Sequence, residues 1–242
     1  LGLHKPRILD LFCGAGGIAK GYQRAGFHVV GVDIELQPNY CGDEFYHADA
    51  LAMTQDILRS CWHESSQRTS LKGMLDRCLG HFQAIHASPP CQAHSDLQKQ
   101  NKRTYPELIE PTRELLIASE LPYVIENVEG APLLDPIMLC GTMFPGLRVL
   151  RHRLFETNFP ITAPQHHSTQ HPLVFTHDKR KAHYGKLDQN TSFVQVTGGG
   201  NCTIANARDA MGIDWMNKPE INEAVPPAYG EYVGRALRAH LG

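Results

Sequence analysis

Apolar and polar positions fall into short blocks along this chain, and the period changes from block to block. "RILDLF" (7–12) is an apolar run of strand length, and a glycine-rich turn, "CGAGG", follows at once. "IAKGYQRAG" then repeats apolar positions at helical spacing and ends at Gly26, a natural helix terminus. "FHVVGVDI" (27–34) predicts a second strand ending on Asp33, and "EFYHADALAM" a short segment with Asp49 near its end. Residues 54–80 read as helix with a polar break at "HESSQRTS". "FQAIHAS" predicts a strand that stops at Pro89-Pro90, because two prolines remove two N–H donors. "YPELIEPTRELLIASE" predicts a helix interrupted near Pro111, "PYVIENV" (122–128) a strand, and "GLRVLRHRLFET" (146–157) a strand carrying arginines. "SFVQVTGGGNCT" resumes strand before a turn, and "IANARDAMGI" and "AYGEYVGRALRAHL" predict helices. This alternation predicts an α/β fold: a doubly wound, mostly parallel sheet with helices on both faces.

Residues 158–190 break the pattern. They are rich in Pro, His, Thr and Gln and predict a small irregular lobe. The expected organisation is a core over 1–157, a lobe over 158–200 and C-terminal helices over 201–242.

With 242 residues the chain can bury a substantial core, and 42% hydrophobic and 20% charged content is ordinary for a globular protein. No apolar run reaches the length of a membrane span, and the first ten residues lack a signal-peptide pattern. Seven cysteines without a C-x-x-C pair suit a reducing compartment and give no zinc-ribbon spacing. The expectation is an intracellular, cytoplasmic monomer. A net charge of −2 carries no overall nucleic-acid footprint, although "QKQNKR" and "HDKRKAHYGK" are local basic clusters.

The chemistry-bearing residues gather at strand ends. Gly14, Gly16 and Gly17 let the backbone turn tightly beside a helix N-terminus, and Asp33 could accept hydrogen bonds from ribose hydroxyls. Asp49 could meet an adenine amino group or cap a helix. The ligand left open is a dinucleotide or an adenosyl sulfonium; Ala19 stands where G-x-G-x-x-G has its last glycine. Cys91 follows the proline pair at a stiff corner, either as a reactive group or as an inert thiol in a turn. "HHSTQH" (166–171) is read as a polar loop, with no metal expected.

"DLFCGAGG", "SPPCQ", "ENV" and the Arg-x-Arg of "RHR", in that order, resemble the motifs of the cytosine-C5 DNA methyltransferases over residues 7–156. A looser match returns at "ARDAMGI" and "EAVPPAYGEYVGRAL". The resemblance implies a Rossmann-like methyltransferase core that uses S-adenosylmethionine, releases S-adenosylhomocysteine, and methylates carbon 5 of a cytosine flipped out of DNA. Cys91 would add to carbon 6 and make carbon 5 enamine-like. Glu126 would hydrogen-bond the base, with Arg151 and Arg153 nearby. Phe12, Gly14, Gly16, Asp33, Ile34, Asp49, Ala50 and Pro89 would bind the cofactor. Gln92, Ser95, Lys99, Lys102 and Arg103 of the loop after Cys91, with Lys179, Arg180 and Lys181, would contact nucleic acid.

The chain also departs from that family. Residues 158–200 are short for a recognition domain, so relaxed specificity or a separate specificity partner is expected. Gly230-Glu231-Tyr232 replaces the family's Gly-Asn-Ser. The alternatives are cytosine methylation of a folded RNA such as tRNA, a catalytically silent binding relative and, more distantly, an NAD-dependent oxidoreductase.

Overall fold

The structure, a computed structural model, describes residues 5–55, 82–90, 106–166, 171–197 and 202–242. Its centre is a seven-stranded sheet. The strands are β1 (Arg7–Leu11), β2 (His28–Asp33), β3 (Glu44–His47), β4 (Phe82–Ala87), β5 (Tyr123–Asn127), β6 (Ile137–Leu139) and β7 (Arg153–Thr157). Their order is β3-β2-β1-β4-β5-β7-β6. β1 pairs in parallel with β2 and β4, β2 with β3, and β4 with β5, whereas β7 runs antiparallel to both β5 and β6. The expected mostly parallel α/β sheet is therefore present. The order reverses between β1 and β4, which opens a crevice at their carboxyl ends.

Strand side chains alternate between the two faces. Leu9, Leu11, Val30, Val32, Ile85 and Ile125 pack on one face with Leu116 and Leu121. Ile8, Val29, Ala84, Val124 and Phe155 pack on the other, with Ile18 and Tyr22 of helix α1 (Gly17–Arg24) and with Tyr229, Val233 and Leu237 near the C-terminus. Leu116 belongs to α2 (Ile109–Ala118). The sheet is thus covered on both faces. Pro111 does not interrupt α2 as the sequence predicts. It lies in the first helical turn, where a missing N–H forfeits no intrahelical bond.

The chain closes with α3 (Ile204–Met211), α4 (Lys218–Glu223) and α5 (Pro227–Leu241). The sequence pattern missed α4, which begins with an Asn217–Glu220 capping box. α5 lies against α1 at backbone range: a Cβ on Gly230 would stand 2.5 Å from the Ile18 carbonyl oxygen. The departure at Gly230-Glu231-Tyr232 is therefore a helix-packing position, with Glu231 paired to Arg235.

Two further expectations need correction. The strand foreseen over 146–157 is regular only from Arg153; the preceding stretch makes an isolated parallel bridge, Val149 to Val194, and is held further by arginine side chains. Arg148 donates to the Ser192 carbonyl at 2.7 Å, and Arg151 to those of Val196 and Asn222 at 2.7 and 3.0 Å. The "SFVQVT" strand reduces to isolated bridges, Val149 to Val194 and Val174 to Phe193. Val149 and Val194 join Val196, Ala207, Met211, Met216 and Ile221 in a third apolar cluster that links these segments to the C-terminal helices. Most of the helix predicted over 54–80 lies outside the described residues; residues 50–55 are helical. No helix among the described residues is long and apolar enough to cross a membrane.

Candidate active site

The glycine turn leaves β1 through two unusual backbone positions. Phe12 has φ 57° and Gly14 φ 48°, both in the left-handed region. A Cβ on Gly14 would meet nothing within 4 Å, so the turn is open there. Asp33 ends β2 and accepts the Gly14 amide at 2.8 Å and the Glu35 amide at 2.9 Å, one on each carboxylate oxygen. Its first structural task is to lock the glycine turn, and each oxygen keeps a free lone pair. Behind the turn, Trp215 Nε1 donates to the Ala15 carbonyl at 2.9 Å. Beside it Ile34 is 62% exposed, an apolar platform next to a carboxylate. Asp49 is exposed and caps the 50–55 helix through the Ala52 amide at 2.8 Å, while Ala50 is buried.

The second group of residues sits at the ends of β4 and β5. Pro89 is buried, and its carbonyl accepts the Asn127 side-chain amide at 2.9 Å, which ties the proline corner to β5. Glu126, one residue earlier, is 5% exposed. The Arg153 Nε lies 2.9 Å from its Oε1, an ion pair whose angle falls short of a hydrogen bond. Burial raises the Glu126 pKa, against the opposing pull of Arg153, a Ser88 hydrogen bond and Arg151. Arg151 is also buried but is committed to the two carbonyls above, and its own carbonyl accepts the Tyr229 hydroxyl at 2.6 Å. Of the two arginines, Arg153 faces Glu126 directly.

Two groups that the sequence reading passed over complete the crevice. Asp10, in the middle of "RILDLF", is fully buried, and neither of its carboxylate oxygens has a hydrogen-bond partner among the described residues. Burial, then the charges of Asp33 and Glu126, push its pKa well up, so it stays protonated far above the usual carboxylate range. His86 on β4 lies between the Tyr22 hydroxyl (3.0 Å) and the Ser88 hydroxyl (2.9 Å). Burial alone pushes it down to about 3, so the imidazole is neutral. The signal for both was available: a single ionisable residue inside an otherwise apolar strand.

Cys91, Gln92, Ser95, Lys99, Lys102 and Arg103 lie outside the described residues. Lys179, Arg180 and Lys181 are exposed, but Arg180 is engaged by Asp178, with Nε–Oδ1 at 2.9 Å and Nη2–Oδ2 at 3.0 Å. That pairing holds Asp178 down to about 2 and leaves the two lysines as the cluster's uncompensated charge.

Comparison with known proteins agrees with this geometry. The family model described as C-5 cytosine-specific DNA methylase matches residues 6–131. The chain is 29% identical over 89 residues to the Type II methyltransferase M.AgeI of Thalassovita gelatinovora, covering 37% of this chain and 19% of that protein. It is 34% identical over 95 residues to the Type II methyltransferase M1.HphI of Haemophilus parahaemolyticus, covering 36% and 21%. The chain thus spans about a fifth of the length of these curated relatives. In fold it is similar to a solved structure described as a candidate DNA modification methyltransferase encoded within an E. coli prophage. That match has a TM-score of 0.60 at 16% identity and covers 97% of this chain and 99% of that one.

Proposed function

Because the chain belongs to the C-5 cytosine-specific DNA methylase family, we propose that it transfers a methyl group from S-adenosylmethionine to carbon 5 of cytosine in DNA. The observation that carries this reading is the corner of Pro89, Glu126 and Asn127, where a buried carboxyl lies beside an arginine; in the sequence Cys91 follows Pro89-Pro90. DNA is favoured over RNA because the curated relatives carry restriction-type methyltransferase names.

The residues present suit the cofactor. The open space over Gly14 and the free lone pairs of Asp33 fit an amino-acid tail and a ribose, and exposed Ile34 fits an adenine face. On the same reading Phe12, Gly16, Ala50 and Pro89 would line the cofactor site, and Asp49, which caps a helix through Oδ1, would offer its second oxygen. Bound there, S-adenosylmethionine supplies an electrophilic methyl group.

The protein's own contribution is to make cytosine nucleophilic. The target base leaves its stack, and the Cys91 thiolate forms a bond to carbon 6. Electron density moves to carbon 5, and Glu126 meets the ring at N3 and the exocyclic amine. Burial raises the pKa of this carboxyl, so it takes up a proton more readily than a free carboxylate and can deliver it where negative charge develops. After transfer a base takes the carbon-5 proton, and the electron pair of that bond re-forms the ring double bond and expels the Cys91 thiolate. Arg153 orients Glu126, and Arg151 braces the segment before β7. We read residues 158–200 as a reduced recognition lobe on a monomeric enzyme, with sequence choice either relaxed or supplied by a partner.

The test is an oligonucleotide carrying 5-fluorocytosine, offered with S-adenosylmethionine in DNA and in RNA form. A denaturant-resistant adduct is expected on the DNA and absent with Cys91→Ser. An adduct on the RNA alone would transfer the reading to an RNA substrate. Adducts on neither polymer would refute covalent catalysis.

A further inference from the structure

Four side chains that play no part in that chemistry meet beside β7. Cys140 follows β6 and is fully buried, His152 lies between Arg151 and Arg153, and His166 and His171 belong to the lobe. Their ligand atoms, one from each residue, all lie within 4.8 Å of one another. The polar loop read from "HHSTQH" is therefore two histidines brought to a sulfur and a third imidazole. The sequence could not signal this, because the partners are scattered over residues 140–171 without a repeat.

The polar contacts around the cluster are those of a ligand set. The Cys140 Sγ is 3.9 Å from the His171 Nε2, and the His166 and His171 Nε2 atoms are 2.7 Å apart. His152 donates Nδ1–H to Glu129 Oε2 at 2.7 Å. In the neutral ring that bond places the lone pair on Nε2, which is buried and has no hydrogen-bond partner among the described residues. A carboxylate behind a histidine whose other nitrogen bears a lone pair is the usual support of a metal-bound imidazole. On the other side, the Thr142 hydroxyl donates to the Cys140 sulfur at 3.2 Å.

We propose that Cys140, His152, His166 and His171 bind one zinc(II) ion in a closed structural site that ties the lobe to the strand carrying Arg153. One thiolate and three imidazoles form a tetrahedral zinc set, and this set is too soft for magnesium or calcium. Around tetrahedral zinc, ligand atoms stand roughly 3.3–3.6 Å apart at bond lengths of ~2.0–2.3 Å. The 2.7 Å histidine pair has to open, and the wider pairs, the 3.9 Å sulfur contact and separations of up to 4.8 Å, have to close to that spacing by side-chain rotation. Binding forms one Zn–S and three Zn–N bonds and releases the thiol proton to solvent. Four protein ligands leave no open position, so the ion holds structure and takes no substrate.

The experiment uses the tag-free full chain purified from zinc-supplemented cells. Elemental analysis is expected to give one zinc per chain. Replacement by cobalt(II) is expected to give the strong visible bands of a tetrahedral site and a near-ultraviolet thiolate-to-cobalt band. Cys140→Ser should lose the thiolate band, and His171→Ala should lose bound metal and melt at lower temperature. Glu129→Gln, which touches no ligand atom of the metal, should keep the fold and weaken zinc affinity about 10–100-fold. A folded wild-type chain with no stoichiometric metal and only weak octahedral cobalt bands overturns the proposal, as does a thiolate band that survives in Cys140→Ser. None of these measurements requires a methyl donor, so the outcome is independent of the proposed reaction.

Discussion

The parallel and antiparallel halves of the sheet are built on different principles. In the parallel half, β3-β2-β1-β4-β5, the inner strands β2, β1, β4 and β5 are apolar on both faces, and most of their polar groups lie at the strand ends. The exceptions inside the strands, Asp10 and His86, are kept neutral by burial. In the antiparallel half, β6 has only three residues, and charged side chains tie β7 to α2. Glu156 of β7 receives two bonds from Arg113 of α2, both at 2.8 Å, and the Leu134 amide, also at 2.8 Å. One half concentrates chemistry by excluding water; the other holds its shape through ion pairs and, by our proposal, through a metal ion.

The largest expected effect lies where the halves meet, at the Glu126–Arg153 pair. Glu126→Gln keeps the shape and removes the transferable proton. Methyl transfer should fall by about 10²–10⁴-fold with cofactor affinity retained. Turnover within tenfold of wild type would show that this corner is scaffold.

Next is the pin of the antiparallel half. Arg113 and Glu156 side chains are 4% and 2% exposed, so Arg113→Met strands a buried carboxylate. The expected loss is about 3–5 kcal/mol in denaturant unfolding. Replacing both partners with apolar residues should recover most of that loss. A single variant that unfolds like wild type would mean the pair is dispensable and the contrast between the halves is weaker than drawn.

The smallest effect sharpens the parallel half. Asp10 has a folded pKa above its ordinary 3.8, so the folded state binds its proton more tightly than the unfolded chain does. Its contribution to stability is complete below 3.8 and is lost as pH rises through the raised value. Asp10→Asn should remove that loss. Its advantage over wild type in unfolding free energy should grow by up to about 1.4 kcal/mol per pH unit across that window. Parallel stability curves for the two proteins would show that Asp10 does not titrate as its burial requires.

Sequence legibility divides along the same line. The glycine turn, Asp33 and Glu126 were readable because a parallel strand must be a continuous apolar run, and a break in that run marks its end. β6 was missed because it has only three residues, Ile137–Leu139, too few to show a period. The 146–157 stretch reads as one strand carrying arginines, yet Arg148 and Arg151 spend their guanidinium groups on carbonyls far along the chain, and regular pairing begins only at Arg153.

By itself, then, the sequence determined the α/β class, the glycine turn and the identities of the residues at the strand ends, because local period and backbone restriction are written into neighbouring residues. The tertiary structure alone decided that Asp10 and His86 are neutral, that Arg153 rather than Arg151 faces Glu126, and that Cys140, His152, His166 and His171 converge. Burial and long-range contact set those properties, and neither is a function of spacing along the chain.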